Sequence, residues 1–242
     1  MIYSGKHLVT GDGKTYIQES ALCVDAEGLI LEVGKTEDLQ AKYPDESVKG
    51  EKGSLMEQDF QITKWCHRFI REQIKAGDIC VDATAGNGHD TELLCELAGS
   101  RGKVYAFDIQ DAALMHTRKR LEEKGYKAEL ILAGHETMRQ YVTEAGAVSC
   151  IVFNFGYLPG GDHRLATHAD TSIQAIKEGL ELLKLGGMIS LCIYSGGDSG
   201  FEEQEAVLNY IAKLDSKNFL VIVSQYYNRP NNPPIPALII KR

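Results

Sequence analysis

Hydrophobic and polar positions follow two rhythms along the chain, and the change falls near residue 53. Before it, apolar runs at 1–10, 16–24 and 29–33 are separated by Gly11-Asp12-Gly13-Lys14 and Glu27-Gly28. Such runs read as strands joined by tight turns. Thr36-Glu37-Asp38-Leu39 looks like a short capped helix that ends before Pro44. The spacing predicts a small antiparallel β appendage over residues 1–53. Three strands without a partner layer are marginal alone, so this unit is expected to pack on the main domain or on a second copy, as a homodimer.

After Gly53-Ser54 the period lengthens. Ile62, Trp65, Cys66, Phe69, Ile70 and Ile74 fall on one stripe of a helix within 58–75. Gly77-Asp78 ends it. Strand-like runs then occur at 79–81, 103–109, 128–132, 149–153, 188–194, 219–226 and 237–241. Helical stretches lie between them, opening at His89 and spanning 112–124, 171–183 and 202–213. Gly186-Gly187 is expected to break the third of these. This alternation predicts an α/β fold over residues 57–242, a doubly wound, mainly parallel, seven-stranded Rossmann-like sheet.

Composition changes that picture little. The chain has 242 residues, 43% apolar and 25% charged, with a net charge of −8. The negative balance argues against a protein that grips nucleic acid non-specifically. Basic clusters at Lys64, Arg68 and Arg71, and at Arg118, Lys119 and Arg120, remain candidates for a local basic face. No apolar run approaches the roughly 20 residues needed to span a bilayer. The six cysteines, at 23, 66, 80, 95, 150 and 192, are scattered singly. They read as reduced thiols of a cytoplasmic protein, with neither a disulfide framework nor a metal site.

The chemistry concentrates after the first parallel strand. Ile79-Cys80-Val81 leads into Asp82, then a Gly86-Asn87-Gly88 turn, then the helix opened by His89-Asp90-Thr91. Strand, glycine turn and helix in that order make a nucleotide-binding crossover, with glycines that let a ligand approach bare backbone. A dinucleotide site would want a third glycine where Thr91 stands, and Asp82 would repel its phosphates. An ammonium and a sulfonium would instead welcome that carboxylate. Such a cofactor is S-adenosyl-L-methionine, and Asp-x-Thr-x-Gly-x-Gly resembles the first motif of class I methyltransferases. Asp108 lies 20 residues after Gly88, at a strand end where an acid takes ribose hydroxyls. Gly134-His135 ends the third strand, where an adenine edge would lie. Asn154 ends the fourth strand and Tyr157 follows, resembling the Asn-Pro-Pro-aromatic motif of methyltransferases acting on amino groups of bases. An amide carbonyl there can accept N–H bonds from an amine and aim its lone pair, while a ring packs on the base. Asp162 or His163 could take a proton from an ammonium substrate.

From residue 63 onward the chain resembles the YtqB/MnmM family of class I S-adenosylmethionine-dependent methyltransferases. The matching stretches are His67, 81–91, Gly134-His135-Glu136, Asn154-Phe155-Gly156-Tyr157-Leu158-Pro159-Gly160-Gly161-Asp162 and Asn231-Asn232-Pro233-Pro234. The resemblance implies methylation of 5-aminomethyl-2-thiouridine at the tRNA wobble position, so tRNA, through its anticodon region, is the expected partner. It places Asp82, Thr84, Gly86, Asn87, Gly88, Asp90, Thr91, Asp108, Ile109, Gly134, His135 and Asn154 at the cofactor. Asn154, Tyr157 and Asp162 would be catalytic. His67, Leu158, Pro159, Gly160, Gly161, His163 and Asn231 would face the substrate. Family members usually carry Tyr-Pro-Gly-His after the fifth strand, whereas this chain has Tyr194-Ser195-Gly196-Gly197. Residues 1–45 resemble the opening β segment of amidohydrolases, without the metal-bearing barrel, so no hydrolase chemistry is expected. Three rival readings stay open: an amine methyltransferase for another RNA base, as in rRNA, or a small molecule; a non-catalytic RNA-binding module; and a nicotinamide oxidoreductase.

Overall fold

A computed structural model describes residues 2–9, 16–25, 30–45, 48–49, 61–155, 168–195, 200–229 and 232–242. The chain divides into two compact units, residues 1–65 and 66–242.

In the first unit, β1 (Ile2–Val9), β2 (Tyr16–Val24) and β3 (Ile30–Lys35) form an antiparallel meander, followed by α1 (Thr36–Lys42). A two-residue β4 (Val48–Lys49) then pairs parallel to β1, so the sheet order is β3-β2-β1-β4. The purely antiparallel appendage expected from the pattern therefore gains a parallel edge, too short to leave a sequence signal. Ile2, Ala21, Cys23 and Leu39 form its core, with Tyr43 packed against them. The capping position of α1 falls on Lys35 and makes no side-chain cap, contrary to the capped helix expected there. Lys42 and Tyr43 instead both bond to Glu32, at 2.6 and 2.9 Å.

The second unit carries the doubly wound sheet. Helix α2 (Ile62–Gln73) buries Cys66 and Ile70 from its apolar stripe. There follow β5 (Ile79–Asp82), α3 (His89–Ala98), β6 (Lys103–Asp108), α4 (Asp111–Lys124) and β7 (Glu129–Leu132). A 3-10 helix over His135–Gln140 precedes β8 (Val148–Phe155), α5 (Ala169–Leu182) and β9 (Leu183–Ile193). The last elements are α6 (Gly200–Ile211), β10 (Phe219–Val223) and β11 (Ile235–Lys241).

The seven strands lie in the order β10-β11-β9-β8-β5-β6-β7. Strands β7, β6, β5, β8 and β9 run parallel, and β11 inserts antiparallel between β9 and β10. Central strands covered on both faces should be apolar throughout, and Val81, Phe107, Ile151, Phe153 and Ile189 are each fully buried. The chain order reverses on either side of β5. In open α/β sheets, ligands settle beyond the carboxyl ends of the strands at such a switch point. Asp82, Asp108 and Asn154 lie at or next to the ends of the three strands that meet there.

The largest departure from the pattern is at β9. The helix stops at Leu182 and the strand starts at Leu183, five residues before the expected Met188. The Lys184 ammonium bonds Asp78 at 2.7 Å, and Gly186 adopts φ 73°. A side chain at Gly187 would meet the carbonyls of Lys184 and Val148 at 2.8 and 2.9 Å. The two glycines thus serve a bulge inside the strand, where β8 and β9 shift register. No helix among the described residues is long and apolar enough to cross a membrane.

Candidate active site

Asp82 closes β5 and is wholly buried. Its Oδ2 accepts the Thr91 hydroxyl at 2.6 Å and its Oδ1 accepts the Thr84 backbone N–H at 3.1 Å. The acid therefore ties the strand end to the first turn of α3. Burial pushes its carboxyl up to about 7, with the Asp90 charge adding to the effect and the Thr91 and Thr84 bonds opposing it.

The glycine turn is held from several sides. Gly86 and Gly88 take φ 52° and 78°, left-handed backbone that glycine adopts without cost. A Cβ at Gly88 would lie 2.8 Å from the Cα of Thr117, so α4 passes against bare backbone. Arg120 donates from Nε to the Asn87 carbonyl at 2.8 Å and from Nη1 to Glu92 at 3.1 Å. Proposed from sequence as part of a basic face, Arg120 instead braces this turn. Asp108 accepts the Gly86 N–H and the Gln110 N–H, each at 2.9 Å, which links the turn to the end of β6. Beyond it Ile109 is 55% exposed, an apolar surface at the mouth of the switch point.

Asn154, near the end of β8, is fixed at two points. Its backbone N–H donates to Thr84 Oγ1 at 2.8 Å, and its Nδ2 donates to Asp90 Oδ2 at 2.7 Å. The other Asp90 oxygen meets His67 Nε2 at 2.5 Å. His67, Asp90 and Asn154 thus form one chain from α2 to the strand end.

His135, expected at the end of the third strand beside an adenine edge, is buried. The chain winds there into a 3-10 helix, and the ring is 8% exposed, edge-on to Phe153 and Phe155 at 5.9 Å. Burial lowers its pKa, and its Nε2 has no partner among the described residues. Gly134 has φ −67°, which any residue adopts, but a Cβ there would crowd the Glu136 carboxylate. Ser195 donates to the Asn232 carbonyl at 3.1 Å, which joins the segment lacking the family's Pro-Gly-His to the late Asn-Pro-Pro run. Tyr157, Leu158, Pro159, Gly160, Gly161, Asp162, His163 and Asn231 lie outside the described residues. The signal that sequence reading missed is Arg120, whose role depends on a neighbour 33 positions away.

Chemically, the arrangement offers a buried acid beneath a glycine turn, a second acid with free lone pairs at the next strand end, and an oriented amide beside them. That set suits a cationic nucleoside ligand and an amine acceptor.

Comparison with known proteins agrees. A family model described as "Putative rRNA methylase" matches residues 104–240. The chloroplastic tRNA (mnm(5)s(2)U34)-methyltransferase of Arabidopsis thaliana is 36% identical over 192 residues, 75% of this chain and 70% of that protein. A "putative rRNA-methylase" from Clostridium thermocellum superposes with a TM-score of 0.73 at 42% identity, covering 75% of this chain and 98% of that one. A "putative methyltransferase" from Streptococcus mutans, solved in complex with SAH, gives 0.69 at 40% identity with the same coverage. The family match and the shared sheet place this chain in the rRNA methylase family of class I S-adenosylmethionine-dependent methyltransferases, the group its motifs resemble.

Proposed function

We propose that the protein transfers a methyl group from S-adenosyl-L-methionine to the aminomethyl nitrogen of 5-aminomethyl-2-thiouridine, at the wobble position in the anticodon region of tRNA. The observation that carries this reading is the Asn154 amide, held so that its nitrogen faces Asp90 while its carbonyl oxygen meets no donor among the described residues. The relative from Arabidopsis, named for this wobble nucleoside, supports the choice of substrate.

The residues at the switch point fit the cofactor. Asp82 sets a buried carboxyl beneath the strand end, and an ammonium or sulfonium there would favour its ionised form. Asp108 spends one lone pair of each oxygen on backbone N–H groups and keeps others for ribose hydroxyls. Exposed Ile109 offers an apolar face for adenine. When bound, S-adenosylmethionine supplies an electrophilic methyl group, released as the nitrogen lone pair forms the N–C bond and the C–S electron pair returns to sulfur.

This chain's part is to orient and deprotonate the amine. Asn154 accepts an N–H of the substrate and so aims the lone pair. Tyr157 would stack on the base, and Asp162 or His163 would take the proton that the nitrogen gives up. With a net charge of −8, RNA affinity must come from local contacts and should fall with salt. Six free, buried cysteines favour a reducing, cytoplasmic setting.

The test is methyl transfer from labelled cofactor to tRNA that carries 5-aminomethyl-2-thiouridine, with tRNA lacking the aminomethyl group and rRNA fragments alongside. Label confined to the first substrate supports the proposal. Label on rRNA alone would overturn it in favour of another base amine.

A further inference from the structure

Which end of the Asn154 amide faces the substrate depends on residues behind it. A carboxylate accepts hydrogen bonds and cannot donate them. With Asp90 ionised, the Asn154 nitrogen must therefore face Asp90, and the carbonyl oxygen must point the other way. A protonated Asp90 would remove that constraint. Its O–H could donate to the carbonyl, and the NH2 group would then turn toward the amine, where it cannot accept a proton donor. The Thr84 bond to the Asn154 backbone anchors the strand end but does not choose between these two orientations.

We propose that His67 and Asp90 are positioning residues that fix the polarity of the Asn154 amide, with His67 acting through Asp90 and not by touching the substrate. This inference rests on the reading of Asn154 as the residue that orients the amine. It reassigns two residues: Asp90, expected at the cofactor, and His67, expected at the substrate.

The surroundings of Asp90 agree. Burial would raise its carboxyl, yet the His67 bond and charge, with help from Asn154 and His89, hold it below the usual value. The other titratable groups that feel its charge are Asp82 at the end of β5, Cys66 on α2, Cys150 on β8, and Cys192 and Tyr194 at the end of β9. Of the groups around it, His67 makes the ion pair. Loss of His67 should let burial prevail and allow Asp90 to take up a proton nearer neutrality.

The experiment has two arms. In 15N-labelled full-length protein saturated with S-adenosylhomocysteine, the Asn154 side-chain NH2 signals are identified by their loss in Asn154→Ala. They are then followed from about pH 5 to pH 8, the span in which a destabilised carboxylate would titrate. The wild-type signals should stay in place. In His67→Ala they should move with pH, and in His67→Gln, which keeps an N–H donor, they should move less. In the kinetic arm, Asp90→Asn should lower kcat by roughly 10²-fold, the scale of a misaimed reacting group. Its affinity for S-adenosylhomocysteine should be retained, and the acid limb of kcat should shift upward in His67→Ala. Signals that stay in place in His67→Ala would overturn the proposal. So would an Asp90→Asn variant whose chief defect is weak cofactor binding. The spectroscopic arm needs no RNA, so a wild-type enzyme inactive on aminomethyl-thiouridine tRNA would reject the substrate reading and still leave this question decided.

Discussion

Gly88 and Gly125 both hold left-handed backbone, at φ 78° and 69°, but their surroundings differ. At Gly125, just past α4, a Cβ would meet nothing within 4 Å. Gly125→Ala should therefore cost only the left-handed penalty, about 1–2 kcal/mol. At Gly88 the new carbon would also fall 2.8 Å from Thr117 Cα and 2.9 Å from its Oγ1. That neighbour is helix backbone, and overpacking of this kind adds about 1–3 kcal/mol. The total for Gly88→Ala is then about 2–5 kcal/mol. For a unit of this size each kcal/mol lowers Tm by roughly 2–4 °C. Calorimetry should thus show a drop of roughly 4–20 °C for Gly88→Ala, against roughly 2–8 °C for Gly125→Ala. Only the first should also weaken S-adenosylhomocysteine binding, measured by titration calorimetry, because only that turn faces the switch point. Equal drops in Tm, or a Gly88→Ala protein with normal binding, would refute the close approach of α4 to the turn and its place in the cofactor site.

The buried Asp82 gives two more tests. Thr91→Val leaves the carboxylate without its hydroxyl donor, which should cost about 1–3 kcal/mol in thermal melts, and Thr91→Ser should restore most of it. With its folded-state value raised to about 7, Asp82 contributes stability to the free protein that is fully present below its unfolded value near 4 and is lost as pH rises through 7. A ligand bearing an ammonium favours the ionised carboxylate. Binding of S-adenosylhomocysteine near pH 6–7 should therefore release a proton and tighten as pH rises toward 8. Calorimetry in buffers of different ionisation enthalpy checks this, and heats independent of buffer would contradict it.

What could be read from the chain is what neighbouring residues decide together. Asp82, the glycine turn and Thr91 lie within ten positions, and strand, turn and helix propensities all agree there. Asp108 follows at a spacing that the crossover imposes. Elements set by distant partners were less legible. Leu182-Leu183 continues a helical pattern, and only pairing of Leu183 with Val148 turns the chain into a strand five residues early. Strand β4 has two residues, too few for any periodicity. His135 reads as a strand-end residue at an adenine edge, because nothing local signals the 3-10 helix that buries it against Phe153 and Phe155. His67, Asp90 and Asn154 were each singled out, but as separate contacts. Their separations of 23 and 64 positions hide the chain of bonds that joins them. Arg120 reads locally as one of three cations in a candidate basic face, and only the packing of α4 beside the turn gives it the Asn87 carbonyl as a partner.

The amine-orienting role of Asn154 can be tested most directly by nucleoside mass spectrometry. The substrate is tRNA carrying 5-aminomethyl-2-thiouridine, treated with wild-type protein and with Asn154→Ala at saturating cofactor. The wild type should add one methyl group to that nucleoside. The variant should bind S-adenosylhomocysteine normally and turn over at least roughly 10²-fold more slowly. A variant that methylates at the wild-type rate would contradict the assignment of Asn154. A wild-type protein that binds the cofactor and leaves this nucleoside unmethylated would contradict the substrate.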